Sequence, residues 1–425
     1  MRSYSELSRE DLAAERQVLL DQYNLLQGLN LKLDMTRGKP GAEQLDLSKS
    51  MNQILGDEYL SEEGDCRNYG IAYGIKEIRD LFAQILDTNS ELVIAGNNSS
   101  LSMMFDTLMR SMIYGEIESD KPWAFVEKRK WLCPVPGYDR HFAITRDLGF
   151  EMINIPMNDN GPDMDMVESL VASDSSIKGM WCLPLYSNPD GYIYSEETCR
   201  RLVSMKTAAP DFRIFWDNAY VVHHLYEDNQ GSIPDILSLA QNMNNPNRVY
   251  QFASMSKITF PGSGIACMSS NQDNLARAQK YLATRSIGPD KMNQLRHVKY
   301  LPNLDAVKIL MKKHAQLLLP KFKAVDDILN QELNGLDIAS WHSPLGGYFI
   351  SLYVVDGTAK KVVKMAKEAG VALTPAGATF PYGVDPRDNN IRIAPTFPSV
   401  DDINKAVKVL TVCVKLAAVE KLLGE

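Results

Sequence analysis

Short apolar runs alternate along this chain with longer stretches whose apolar residues recur at helical spacing. Val93-Ile94-Ala95, Trp123-Ala124-Phe125-Val126, Glu151-Met152-Ile153-Asn154-Ile155, Gly179-Met180-Trp181-Cys182-Leu183, Arg213-Ile214-Phe215-Trp216 and Val249-Tyr250-Gln251-Phe252-Ala253 each read as a strand. Helices are predicted from Ile75 to about Leu86, over the segment where Leu101, Met104, Phe105 and Leu108 share a face, and near 138–148, 163–172 and 195–207. This alternation predicts an α/β fold, with a mainly parallel sheet covered by helices on both faces. Ligands of such sheets sit at the carboxyl ends of strands. Asn98, Tyr138, Asn188, Asp217, Tyr220 and Lys257 all lie just after predicted strands.

The two ends of the chain read differently. Residues 5–27 predict a helix with Ser8 as N-cap, Asp11 three residues on, and Leu12, Val18, Leu19, Leu20 and Leu25 marking one face. From about Pro289 to Leu333 the pattern is long and helical, a connector. Gly346 to Leu352 resembles a strand. A helix over 359–369, a strand Val371-Ala372-Leu373, the segment Asn390-Ile391-Arg392-Ile393-Ala394 and a last helix over 401–423 complete a smaller α/β unit. No internal repeat or low-complexity tract breaks the pattern.

Composition narrows the class. The chain has 425 residues, 45% of them apolar and 23% charged, the profile of an ordinary globular protein with more than one domain. A formal net charge of −8 argues against a nucleic-acid binder. The six cysteines form no Cys-x-x-Cys pair, so a reducing compartment is expected. The charged N-terminus lacks the apolar stretch of a secretory signal. No apolar run is long enough to span a bilayer. A cytoplasmic protein is the expectation.

Candidate chemistry starts at Ser254-Met255-Ser256-Lys257, a lysine on a loop after a strand, followed by the turn-rich Pro261-Gly262-Ser263-Gly264. Lysine condenses with aldehydes, and the two hydroxyls beside it can bind a phosphate. Alone, the tetrapeptide is a weak signal, and a solvated loop lysine is the plainer reading. The turn Gly96-Asn97-Asn98-Ser99-Ser100 before a helix can present N–H groups to a phosphate, though many such turns bind nothing. His223 and His224 are adjacent, which on a strand points them to opposite faces, and His141, His297, His314 and His342 are isolated in sequence; no metal site is expected.

Three motifs taken in order say more. Asn188-Pro189-Asp190-Gly191 precedes Asp217-Asn218-Ala219-Tyr220 by 29 positions, and Lys257 follows Asp217 by 40. In this order and spacing the chain resembles the fold-type I aminotransferases of class I/II, which depend on pyridoxal 5′-phosphate (PLP). The resemblance runs from Gly38 through Arg392 to the final helix. Thr36-Arg37-Gly38-Lys39-Pro40 and the Pro-Gly-Ser-Gly turn look like a divergent bacterial aspartate aminotransferase subgroup.

The resemblance implies a large PLP-binding domain over 61–295. A small domain would be built from an N-terminal helix and arm (1–60) and from a linker helix and C-terminal unit (296–425). It implies that Lys257 holds the cofactor as a Schiff base and acts as the base at the substrate Cα, and that Asp217 pairs with the pyridine nitrogen. Asn188 and Tyr220 would reach the ring oxygen, and Tyr138 would stack on the ring. Asn97, Asn98, Ser99, Ser254 and Ser256 would hold the phosphate, joined by Tyr69 from the partner of a homodimer with shared sites. Arg392 would bind the substrate α-carboxylate, with Gly38 and Asn188 beside the substrate. Arg37 could read a side-chain carboxylate, an exposed loop arginine being the plainer reading. One departure stands out: relatives carry an arginine seven or eight residues after the lysine, where this chain has Gly264 and Ile265 and no arginine before Arg277. The expected reaction moves an amino group from an amino acid, aspartate or a similar acidic donor, to a 2-oxo acid. A PLP-dependent lyase or decarboxylase on the same fold is the alternative. A ligand-sensing regulator fits less well, because only about thirty residues precede the core, too few for a DNA-binding domain.

Overall fold

The computed structural model describes residues 2–424. Its centre is an eight-stranded sheet in the order Val93–Ala95, Ala266–Ser269, Val249–Ser254, Arg213–Asp217, Ile177–Cys182, Lys130–Val135, Glu151–Asn158, Gly161–Pro162. From Val249–Ser254 to Glu151–Asn158 every pairing is parallel. Ala266–Ser269 runs antiparallel to both its neighbours, and Gly161–Pro162 turns back on the edge.

The inner strands Ile177–Cys182 and Arg213–Asp217 are buried along their whole length, which is why they read as apolar runs without alternation. Side chains still divide by face. Ile214 and Trp216 join a core under the helices Met164–Ser173 and Glu196–Ser204. Phe215 points the other way, into an aromatic ladder across four strands: Trp131 to Trp181 (5.3 Å), Trp181 to Phe215 (5.2 Å), Phe215 to Phe252 (5.5 Å). Each such contact adds about 0.5–1.5 kcal/mol beyond the area it buries.

Two predicted strands are corrected. Trp123–Phe125 is a 3₁₀ turn after Pro122; Trp123 is buried and donates Nε1–H to Asp211 Oδ2 at 2.8 Å, while Phe125 is exposed. The true strand, Lys130–Val135, begins with a lysine and contains Pro134, so neither propensity nor pattern marked it. In the second segment only Ile350–Val354 is strand; Gly346 makes an isolated bridge to His224, which is not in a strand either. The short strand Ala266–Ser269 is a further element, outside those the pattern predicts.

Ser8 caps the first helix, Arg9–Gly28, accepting from Asp11 N–H at 3.1 Å. Leu12 and Leu19 of the predicted face are buried, Leu20 packs partly buried against the same core and Tyr23 joins them, whereas Val18 and Leu25 are exposed. Tyr23 donates its hydroxyl to the Met365 carbonyl at 3.0 Å, which ties the helix to Ala359–Glu368. The long helical stretch is two helices, Lys291–Tyr300 and Leu304–Leu333, separated at Pro302. One hydrophobic cluster joins both ends of the chain: the first helix, part of Leu304–Leu333, Ala359–Glu368 and Val400–Leu423. Within it Leu33–Met35 pairs in parallel with Val371–Leu373. A three-stranded sheet of Ala339–Trp341, Ile350–Val354 and Asn390–Ile393 carries Arg392.

Candidate active site

A cavity of about 600 Å³ opens at the carboxyl edge of the main sheet. Four adjacent strands feed it: Lys257 follows Val249–Ser254, Asp217 ends Arg213–Asp217 with Tyr220 just beyond, Asn188 follows Ile177–Cys182, and Tyr138 follows Lys130–Val135. Arg392, Phe349 and the loop Thr36–Lys39 close it from the other side. Lys257 and Asp217 therefore share one chamber.

Lys257 Nζ lies 4.7 Å from the centre of the Tyr220 ring and 5.4 Å from that of Tyr348. Burial lowers its pKa to about 8, with the Asp217 charge pulling the other way. The two tyrosines stack on one another at 6.0 Å. Behind them Gln44 Nε2 donates to the Tyr348 hydroxyl (3.1 Å) and meets His314 Nδ1 (3.1 Å), and His314 Nε2 bonds the carbonyl of Ile258 (3.0 Å). That chain fixes the turn on which Lys257 stands. Burial raises the Tyr220 pKa far above the ordinary phenol value and that of Tyr138 to about 12, so both are hydroxyl donors at neutral pH.

His141, isolated in sequence, is not isolated in the fold. Its Nε2 lies 2.9 Å from Asp217 Oδ2, and its ring stacks on Trp181 at 4.3 Å. The signal was its position three residues after Tyr138, one turn into the helix Asp139–Asp147 and on the same side. The other oxygen, Asp217 Oδ1, is buried and has no hydrogen-bond partner among the described residues.

Arg392 Nη1 donates to Asp139 Oδ1 (3.0 Å) and Asn188 Oδ1 (3.3 Å), and the guanidinium lies 4.8 Å over the Phe349 ring. A Cβ on Gly38 would come within 2.5 Å of Phe349 Cζ, so only glycine lets this loop approach the ring. Arg37, Lys39 and Arg140 add further cationic groups to the cavity wall, all on exposed residues. Arg140 and Asp139 had not been singled out from the sequence.

The proposed phosphate residues form a separate group beyond Lys257. Ser254 Oγ and Ser256 Oγ are 3.1 Å apart, and Ser256 Oγ reaches the Asn98 carbonyl at 3.4 Å. Ser99 caps the helix Ser100–Tyr114. The amides of Asn97 and Asn98 are turned to neighbouring loops, at Asp290 N and the Gly262 carbonyl. None of these five side chains lines the main cavity. Arg277 is directed away, 3.6 Å from Glu116. Tyr69 is exposed at 81% and stands apart from the cavity of its own chain.

A mixed sheet with a half-buried lysine, a carboxylate and a tyrosine at its carboxyl edge, met by an arginine from a second, smaller sheet, defines a fold-type I transferase. The chain belongs to the aspartate aminotransferase family, whose model (Aspartate amino-transferase) matches residues 7–425. It is 46% identical to an aspartate aminotransferase of Corynebacterium glutamicum over 99% of both chains. The crystal structure of an aspartate transaminase from that organism superposes with a TM-score of 0.97, at 45% identity over 99% of each chain. More remote, the α-aminoadipate aminotransferase of Thermus thermophilus, complexed with N-(5′-phosphopyridoxyl)-L-leucine, shares the fold at 19% identity and a TM-score of 0.72, covering 90% of this chain and 92% of that one. The protein is thus an enzyme and an aminotransferase, and transamination is favoured over the lyase, decarboxylase and regulator readings.

Proposed function

We propose that this aminotransferase, working with pyridoxal 5′-phosphate, takes the amino group of an acidic amino acid, aspartate or a similar donor, and passes it to a 2-oxo acid in two half-reactions. The observation that carries the reading is the unpartnered Asp217 Oδ1 in the same cavity as the Lys257 amine. An aromatic aldehyde with a protonated ring nitrogen needs an amine at one end and an acceptor at the other, and this residue set fits it. When bound, the cofactor supplies an electron sink for the pair left at the substrate α-carbon.

The chain's own residues do the rest. Lys257, with its pKa brought down to about 8, is neutral in about a tenth of molecules at pH 7, far more than an ordinary lysine, and takes the proton from the substrate Cα. The Asp217 carboxylate can only accept, so His141 Nε2–H donates to Oδ2 and fixes its plane, which would leave Oδ1 to accept from the ring nitrogen. Asn188 and Tyr220 would donate to the ring oxygen, and Tyr138 would pack on the ring face. Ser254, Ser256 and the Asn97–Ser99 turn, backed by the helix N-terminus, would receive the phosphate. Arg392 binds the α-carboxylate, with Gly38 keeping the loop close. Arg37, Lys39 and Arg140 offer a second cationic position, which supports acidic donors over apolar ones.

We assign the chain to a cytoplasmic homodimer in which Tyr69 of one copy serves the other's phosphate. The exposure of Tyr69 and of the apolar Ile113, Tyr114, Ile117 and Ile287 supports a covered surface. No helix among the described residues is long and apolar enough to cross a membrane. The division into 1–60 with 296–425 and a separate 61–295 is part of the same proposal, supported by the cluster that unites the chain ends. A spectrophotometric titration of the purified protein with a panel of amino acids tests the whole. An acidic amino acid should discharge the visible absorption at the lowest concentration. A protein that carries no such absorption, or responds equally to every amino acid, is something else.

A further inference from the structure

Arg392 already holds a carboxylate that belongs to the chain itself. Its Nη1 donates to Asp139 Oδ1 at 3.0 Å, whereas its Nε is buried without a partner among the described residues. The two members of this pair are unequally placed. The Arg392 side chain is only 7% exposed; that of Asp139 is 36% exposed and opens the helix Asp139–Asp147, where the N–H groups of the first turn favour a negative charge. Asp139 can let go and stay solvated. Arg392, more deeply set, is the member of the pair that gains more from a carboxylate partner.

We propose that Asp139 is an exchangeable counter-ion for Arg392, occupying it between turnovers and yielding it to the substrate's α-carboxylate. This rests on the reading of Arg392 as the carboxylate site. Asp139 engages the guanidinium through Nη1 alone, while an incoming carboxylate can take two parallel N–H bonds, so exchange runs toward the substrate. Two carboxylates cannot share that edge without repulsion, so Asp139 must give way toward solvent, which its 36% exposure permits. Substrate affinity is then set by a competition rather than by filling a vacant site. The residue weakens binding of both substrate and product, and it selects against ligands that offer only a single contact.

The contrary possibility is that Asp139 merely props Arg392 in position, and the two differ in sign. The holoenzyme is titrated calorimetrically with succinate, an unreactive dicarboxylate, in wild type, Asp139→Asn, Asp139→Ser and Arg392→Ala. Exchange requires that both Asp139 variants bind succinate about tenfold more tightly than wild type, the effect of removing one charge-assisted competitor. KM for amino and oxo acid should fall with it. Unchanged or weaker binding in both variants overturns the proposal, Asp139→Ser guarding against a misfit particular to asparagine. If Arg392→Ala binds succinate as well as wild type does, the reading of Arg392 itself fails, a result distinct from the first.

Discussion

His141 Nε2 and Asp217 Oδ2 stand 2.9 Å apart in the wall of the cavity, and both side chains are nearly inaccessible to water. The ring is held flat against Trp181, part of the aromatic ladder under the sheet edge. One oxygen of the carboxylate is thereby committed and the other left to accept. The core packing of the large sheet thus fixes the direction in which a functional group points.

Replacing Asp217 by Ala should lower kcat about 10²–10³-fold, the order expected when an ion pair of about 4 kcal/mol is removed. His141→Phe keeps the stack and loses the hydrogen bond, and should lower kcat only about tenfold. Single-turnover kinetics with an acidic amino acid would measure both. Equal losses would mean that His141 does more than orient.

Lys257→Ala should abolish both the visible absorption and transamination. In the wild type, burial brings the amine from 10.5 to about 8. Uptake of pyridoxal phosphate by the stripped protein needs the neutral amine, so its rate should rise about tenfold per pH unit below 8 and level off above it. Because the unfolded chain holds this proton more tightly, the stripped protein should also gain stability as pH rises from about 8 to 10.5. Stopped-flow uptake and denaturant titrations across that range check the two effects separately.

Arg392→Lys retains charge but not the fork, and should reduce kcat/KM for both amino and oxo acids about tenfold; Arg392→Ala should reduce it about a hundredfold. The loss should appear chiefly in KM. A selective loss for one partner of the reaction would argue that the two acids bind differently.

Asp190 is buried beside Asn188, accepts the Tyr353 hydroxyl at 2.9 Å on Oδ1, and has no partner for Oδ2 among the described residues. Burial raises its pKa to about 6. The folded protein keeps this proton longer than the unfolded chain, so stability should fall as pH rises from about 4 to about 6 and stay lower above. Asp190→Asn removes that dependence. Its unfolding free energy should match wild type near pH 4 and exceed it by about 1–3 kcal/mol at pH 7.5.

The elements that the sequence marked most plainly were those with one dominant local signal. Val93–Ala95 and the helix with its Ser8 cap lie where the pattern put them. Lys130–Val135 escaped because its proline and leading lysine oppose the local preference, and only pairing with Glu151–Asn158 and Ile177–Cys182 makes it a strand. In the site, residues in ordered motifs, Asn188, Asp217, Tyr220 and Lys257, were legible because loop lengths between parallel strands fix their spacing. His141, Asp139 and Arg140 were not, because the groups that give them meaning lie on other strands: Asp217 is 76 positions from His141, and Arg392 is 253 from Asp139.

By itself, then, the chain's order of residues settled the α/β class, the family resemblance and the place of Lys257 just after a strand, since these depend on local periodicity and on motifs at the ends of strands. Only the three-dimensional arrangement decided which carboxylate oxygen is open, that Arg392 already bears a partner, and how far the lysine's proton affinity falls. Those properties arise from burial and from contacts between distant segments, and such quantities do not exist until the chain has closed on itself.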